Sequence, residues 1–383
     1  MNDATALYIH IPFCVRKCLY CAFTSTDDAP LATGEYVALL MREMELRAAA
    51  LAAPLCATSL YLGGGTPSLL KPSLVGTIID GAARLFSLDP SAEITLEANP
   101  GTVTASSLAG YRAAGVNRLS LGVQSFDDRM LARLGRVHTA REAREAFDLA
   151  RRAGFDNIGI DLIHGLPGQD RDHWRDQVRA AIALFPDHVS AYGLTVEEGT
   201  PFASLEDEGA LALPDEEDAA AMFEETAELL TTAGYGQYEI ANFALPGRRS
   251  CHNQVYWRRG NYLGFGAGAH SFLREPHPGI RWRNPDDLGA YGSSLAEGLL
   301  PEVDRTCLAV GDAMAEWLFL GLRMLDGVEE EQFRAEFGRS LAEVYGTTIE
   351  GLCTAGLLLR EVGVLRLTRR GVILSNRVFA AFL

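Results

Sequence analysis

Residues 157–164 read Asn157-Ile158-Gly159-Ile160-Asp161-Leu162-Ile163-His164. Side chains alternate along a strand, so Ile158, Ile160 and Leu162 share one face while Gly159 and Asp161 share the other. Two more stretches repeat the pattern. In 92–98, Ile94, Leu96 and Ala98 oppose Glu93, Thr95 and Glu97; in 118–124, Leu119, Leu121 and Val123 oppose Ser120, Gly122 and Gln124. A parallel sheet covered by helices on both faces needs strands that are apolar on both sides. Strands that are apolar on one face and small or polar on the other fit a barrel, with helices outside and a polar lumen.

Working outward, further strands are expected at 6–12, 58–63 and 188–196. Amphipathic helices lie between the strands. Val37, Leu40, Met41, Met44, Ala48 and Leu51 keep one face of 34–51, and Met222, Phe223, Leu229, Leu230 and Ala233 do the same in 215–234. Gly115, Gly154 and Gly234 stand where such helices must stop, in the left-handed conformation that only glycine adopts freely. Strand–helix units in this order imply parallel strands with right-handed crossovers. Six units rather than eight predict an α/β fold built on an incomplete, widened (β/α)6 TIM-like barrel over residues 1–236, with room for large ligands.

Beyond residue 236 the rhythm lapses. Residues 237–304 form an extension rich in Gly, Pro, Arg and aromatics, including His252-Asn253-Gln254-Val255-Tyr256-Trp257. Residues 305–383 read as helices at 309–325, 329–337 and 340–355, a turn at 363–368 and a last helix to Leu383. That order predicts a small winged-helix-like α+β domain.

Composition narrows the function. The 383 residues carry 34 Lys+Arg against 50 Asp+Glu, a formal net charge of −16, which repels phosphate backbones and argues against nucleic acid as a partner. The winged-helix-like end is therefore expected to dock or cover rather than read DNA. No run approaches the length of a transmembrane helix, and the first residues lack the basic start of a signal peptide, so a soluble, cytoplasmic protein is expected. Seven cysteines is an odd number, and three fall within eight residues, which suits metal or redox work better than disulfides.

Those three, Cys14, Cys18 and Cys21, form a C-x3-C-x2-C cluster directly after the first strand. Three thiolates on one loop can hold three irons of a [4Fe–4S] cube and leave the fourth iron open to the amino and carboxylate groups of S-adenosylmethionine. A zinc site completed by His10 or a remote cysteine is the alternative. Gly63-Gly64-Gly65-Thr66-Pro67 follows the second strand, where bare backbone can approach a ligand, or can simply turn tightly. Glu97, Gln124 and Asp161 add one polar side chain each from successive strands, and Arg136 could fork onto a ligand carboxylate. A polar network filling the barrel would use the same residues.

The ordered run YIHIPFC, C-x3-C-x2-C, GGGTPSLL, LEANPGT, GVQSF and IDLIHGLPGQ resembles the radical SAM family of oxygen-independent coproporphyrinogen III oxidase, and within it the heme-chaperone branch. The likeness runs from about Leu7 to the C-terminus. It implies a [4Fe–4S] cluster on the three cysteines and one or two molecules of S-adenosylmethionine. Tyr8, Gly64 and Glu97 stand at positions serving the cluster-bound molecule, and Tyr20, Gly65, Thr66, Gln124, Arg136 and Asp161 at positions serving a second. The oxidases carry a further cysteine two residues after the third, where this chain has Phe23, and they have a longer N-terminal extension than the 13 residues before Cys14. The His252-Asn253-x-x-Tyr256-Trp257 stretch matches a motif of the chaperone branch whose histidine is implicated in heme binding. Imidazole is a natural axial ligand, and Tyr256 and Trp257 could stack on the macrocycle. A structural role for His252, or a thiolate ligand from Cys251, stays open. The resemblance thus implies a heme chaperone that delivers heme to an acceptor protein, possibly a membrane-associated one, without oxidase activity. Radical decarboxylation of porphyrinogen propionates, and radical alkyl or methyl transfer, are the alternatives.

Overall fold

The computed structural model describes residues 5–28 and 31–383. Six strands, β1 (Thr5–Ile11), β2 (Ala57–Gly64), β3 (Glu93–Ala98), β4 (Arg118–Gln124), β5 (Ile158–His164) and β6 (His188–Gly193), lie side by side in chain order. Each adjacent pair is parallel. The apolar faces read from sequence point outward: Ile94, Leu96, Leu119, Leu121, Ile158 and Ile160 are buried among helices. Full burial of one such side chain is worth about 2 kcal/mol. The sheet stays open, so the fold is the incomplete (β/α)6 barrel.

Local chemistry ends the crossover helices where expected. Thr104 caps the helix Ala105–Ala113, Thr139 with Glu142 caps Ala140–Arg152, and Asp215 caps Glu216–Thr232. Gly115, Gly154 and Gly234 follow them with φ of 109°, 88° and 94°. The strand expected over 188–196 stops at Gly193, and 194–198 forms a loop at the barrel mouth.

Residues 237–304 do not leave the sheet. β7 (Gly236–Gln237) and β8 (Asn242–Ala244) add antiparallel strands beside β6. β9 (Asn261–Phe265) pairs parallel with β1 on the other side, followed by antiparallel β10 (His270–Leu273), β11 (Ile280–Arg283) and β12 (Val303–Cys307). The result is one twelve-stranded sheet. These strands are two to five residues long and lie between Gly- and Pro-bearing loops, which hid them from a periodicity reading.

The C-terminal part has its own core around Trp317, Leu318, Phe333, Leu341 and Leu365. Its order is helix Val310–Gly321, strand β13 (Val328–Glu329), helices Glu330–Phe337 and Leu341–Thr354, then the hairpin of β14 (Leu358–Glu361) and β15 (Val364–Leu367). This is a winged-helix-like arrangement. The single final helix expected to Leu383 is two short ones, Arg369–Ile373 and Ser375–Ala380, with a break at Leu374.

Candidate functional site

A cavity of about 630 Å³ opens at the carboxyl ends of the strands and runs down the lumen. Cys14, Cys18 and Cys21 line its mouth. Their loop is pinned at its base, where Cys14 N donates to Thr26 O at 2.9 Å and Thr26 N donates to Pro12 O at 2.7 Å. Arg16 anchors the middle, donating from Nε and Nη2 to Gly135 O at 3.0 and 2.8 Å. Leu19 N donates to Leu134 O at 3.1 Å. Burial pushes the Cys14 and Cys21 thiols up, while hydrogen bonds from Thr66 to Cys14 and from the Phe23 backbone to Cys21 oppose the shift. Metal ligation at these thiols would release their protons.

Among the described residues no three His, Cys, Asp or Glu side chains converge tightly enough for a single metal ion. Thiols spread along one loop suit separate irons of a cube. His10 is turned away from them: Nδ1 lies 3.0 Å from Tyr8 Oη and Nε2 lies 2.6 Å from Thr24 O. His10, one of the two kinds of fourth ligand considered for zinc, is thus occupied elsewhere.

Gly64 and Gly65 sit under the loop for steric reasons. A Cβ on Gly64, whose φ is 105°, would fall 2.5 Å from the His10 ring, and one on Gly65 would fall 2.8 Å from Phe13 O. Gly64 N donates to Glu97 Oε2 at 3.2 Å and Tyr61 Oη donates to Glu97 Oε1 at 2.7 Å. Burial pushes the Glu97 carboxyl up to about 7, against the Tyr61 hydrogen bond and with help from Asp161. Asp161 accepts from Ser120 Oγ at 3.0 Å, and burial raises its pKa as well. Register explains the meeting, because Ser120 pairs with Gly159, two residues before Asp161, so the two side chains are diagonal neighbours on the lumen face.

Gln124 reaches the cavity through an irregularity. The β4–β5 register slips between Gly122 and Gln124, and Gln124 takes a φ of 65°. A non-glycine residue in the left-handed region stores strain of order 1 kcal/mol or more, and such strain collects at ligand sites. Arg136 spans the wall, donating to Gly122 O at 2.6 Å, to Asn99 Oδ1 and, at 3.5 Å, to Cys18 Sγ. Tyr20 and Thr66 also line the cavity; Tyr8 lies beneath the lining, stacked on Tyr61 at 6.2 Å.

Several lining residues were missed by sequence reasoning: Asn99, Arg118, Ser120, Ser190, Tyr192 and Asn253. Strand parity, which already set Ser120 on the face of Gly122 and Gln124, could have added Arg118 to it. Arg118 is buried, with Nη1 3.4 Å from Thr95 Oγ1 and Nε 4.0 Å from Glu93.

The helix Cys251–Trp257 packs against β1, β2 and β9, beside the start of β3, at the end of the barrel opposite the cysteines. Glu93, at that start, accepts from Cys251 N and His252 N, both at 3.0 Å. His252 itself is buried. Ser59 Oγ lies 2.9 Å from its Nδ1 and Tyr256 Oη 2.8 Å from its Nε2, and Tyr61 stacks on its face at 4.9 Å. Burial, with Arg118 adding to it, lowers its pKa to about 3, so the ring is neutral at pH 7. It does not line the cavity; its neighbour Asn253 does. Cys251 is exposed.

Residues 8–181 match the Radical SAM superfamily, and residues 308–374 match the HemN C-terminal domain. Heme chaperone HemW of Bacillus subtilis is 38% identical over 379 residues, covering 98% of each chain. HemW of Escherichia coli is 37% identical over 383 residues, covering 99% of this chain and 98% of its own. The chain belongs to the HemW family of radical SAM proteins.

This HemW-family chain shares its fold with a solved structure. Coproporphyrinogen III oxidase (HemN) from Escherichia coli, a radical SAM enzyme, superposes with a TM-score of 0.84 over 100% of this chain and 90% of its own, at 23% identity. Membership of the HemW family, through its radical SAM part, implies a [4Fe–4S] cluster and S-adenosylmethionine. The donors present fit that pair: three thiols at one mouth of a polar lumen, with bare glycine backbone and carboxylates below them. No helix among the described residues of this HemW-family chain is long and apolar enough to cross a membrane.

Proposed function

We propose that the protein is a heme chaperone, binding heme and passing it to an acceptor protein in the cytoplasm. The observation that carries this reading is similarity of 34–38% along essentially the whole chain to bacterial proteins named heme chaperone HemW. Phe23 supports it. The oxidase branch is expected to carry a cysteine at that position, and here a phenylalanine stands 65% exposed on the cavity rim.

In this reading Cys14, Cys18 and Cys21 hold the [4Fe–4S] cluster. Bound together, cluster and S-adenosylmethionine would supply one-electron reductive chemistry at the sulfonium. Tyr8, Gly64 and Glu97 serve a cluster-bound S-adenosylmethionine. Tyr8 acts through Tyr61, on which it stacks, and Glu97 offers a carboxylate that is partly ionised near pH 7. Tyr20, Gly65, Thr66, Gln124, Arg136 and Asp161 serve a second molecule. Arg136 is fixed in place through Nη2, which bonds Asn99 and Gly122 O, while its buried Nε is left without a partner for a ligand to meet, and Asp161, braced by Ser120, is suited to paired ribose hydroxyls. His252 is the heme ligand.

The test is a heme titration of anaerobically reconstituted protein. A Soret band that saturates near one heme per chain, and is lost in His252→Ala, is expected. Absence of any Soret band would overturn the chaperone reading, as would vinyl product from coproporphyrinogen III in an anaerobic assay.

A further inference from the structure

An axial bond to iron needs a bare nitrogen lone pair and an open approach to the imidazole. His252 has neither in this structure. A neutral imidazole offers one N–H and one lone pair, and Ser59 and Tyr256 engage both nitrogens, at 2.9 and 2.8 Å. Tyr61 covers one ring face at 4.9 Å, and the residue is 1% exposed.

The two hydrogen bonds differ in kind. Tyr256 lies one helical turn beyond His252, so the pair moves as a unit. Ser59 belongs to β2 and stays with the barrel. A withdrawal of the helix Cys251–Trp257 therefore frees Nδ1 and the Tyr61-covered face, while Tyr256 keeps hold of Nε2. A partner on the far nitrogen fixes the tautomer and orientation of a metal-binding histidine.

The helix has two turns and depends on tertiary contacts, of which those at its far end remain when its start is released. Its start is tied to the barrel by Glu93, which accepts from Cys251 N, His252 N and, at 3.4 Å, Ser250 Oγ. A carboxylate at a helix N-terminus also complements the helix dipole. Its far end is tied to the C-terminal domain, where the Arg323 guanidinium sits 4.3 Å over the Trp257 ring and Arg259 pairs with Glu336 at 2.9 Å.

We infer that Ser59 and Glu93 are positioning residues that latch this helix, so that heme binds His252 only when the helix is unseated, and reseating competes with the iron for the imidazole. The inference rests on the proposed heme reading. Such internal competition would hold heme loosely enough to be handed on.

Ser59→Ala removes the rival hydrogen bond and Glu93→Gln weakens the tie at the helix start. Each is expected to bind heme about fivefold more tightly and with faster association, the effect of losing one hydrogen bond from the heme-free state. Tyr256→Phe is expected to alter the heme spectrum without faster association. Amide hydrogen exchange supplies a second readout. Exchange at Cys251 and His252, protected through Glu93, is expected to rise in Ser59→Ala without heme and in the wild type on adding heme. Unchanged exchange and unchanged or weaker heme binding in Ser59→Ala, with His252→Ala still abolishing the Soret band, would overturn the latch and leave the chaperone reading intact. Absence of heme binding in every form would overturn the chaperone reading instead.

Discussion

The Tyr61 hydroxyl donates to the Glu97 carboxylate at 2.7 Å, directly beneath the glycine turn that closes β2. Burial raises the Glu97 pKa to about 7, and this hydrogen bond is the largest influence holding it down. Two residues on neighbouring strands thus set the charge of the upper cavity wall.

Glu97 ionises as pH rises through about 7. If its carboxylate serves S-adenosylmethionine, affinity rises between pH 6 and pH 8. Tyr61→Phe removes a bond that favours the ionised form, so the rise moves to higher pH, and affinity at pH 7 falls several-fold. Equilibrium dialysis across this range checks both curves; superimposable curves would remove Glu97 from the site.

Changing any of Cys14, Cys18 or Cys21 to Ala is expected to abolish the anaerobic brown colour and reduce iron from about four per chain to near zero. Iron analysis and the visible spectrum report this. One zinc per chain in the wild type would contradict the cluster.

Glycine at 64 is required by both backbone and space, with φ at 105° and the His10 ring 2.5 Å from a would-be Cβ. Gly64→Ala is expected to cost about 2–3 kcal/mol and to impair binding of S-adenosylmethionine. Gly154→Ala, strained by its φ of 88° but with nothing near its Cβ, is expected to cost about 1 kcal/mol and leave binding unchanged. Urea midpoints with ligand titrations separate the two.

Glu43 is buried and accepts from Gly266 N, Asn284 and Tyr291. Burial raises its pKa to about 7 from an ordinary 4.5, against those hydrogen bonds. The folded protein then holds a proton that the unfolded chain has lost. Its contribution to stability is fully present below pH 4.5 and is lost as pH rises through about 7. Glu43→Gln is expected to flatten the fall in stability between pH 5 and pH 7.5, an effect on the order of 3 kcal/mol at 1.36 kcal/mol per unit. Denaturation midpoints at several pH values measure it.

A buried ionic knot joins the strand extension to the C-terminal domain. Arg259 contacts Glu336 at 2.9 Å and Glu316 at 3.4 Å, Arg281 adds a bond to Glu316 and Arg274 one to Glu336. Arg259→Ala leaves two buried carboxylates short of a partner and is expected to cost about 3 kcal/mol. A change below 0.5 kcal/mol in urea unfolding would show that the knot is dispensable.

Much of this was legible from residue order because strand alternation is local. Asp161 against Ile160 and Leu162, or Glu97 against Leu96 and Ala98, declares a two-faced strand without reference to anything distant. The cysteine spacing and the glycine turn are equally local, so the cluster loop and the lumen carboxylates could be read directly. The strands within 237–304 could not. They are two to five residues long, and β9 is defined by pairing with β1, more than 200 residues away.

His252 marks the boundary most sharply. Its place in a motif is a fact of sequence, but its hydrogen bonds to Ser59, 193 positions away, and to Tyr256 decide whether a lone pair is free. Periodicity and spacing act over a few residues and so reveal elements, faces and ligand types. Burial and partnership arise when distant segments pack, and they alone determined that Glu97 is partly protonated, that Arg118 and Asn253 share the cavity, and that the imidazole is held shut.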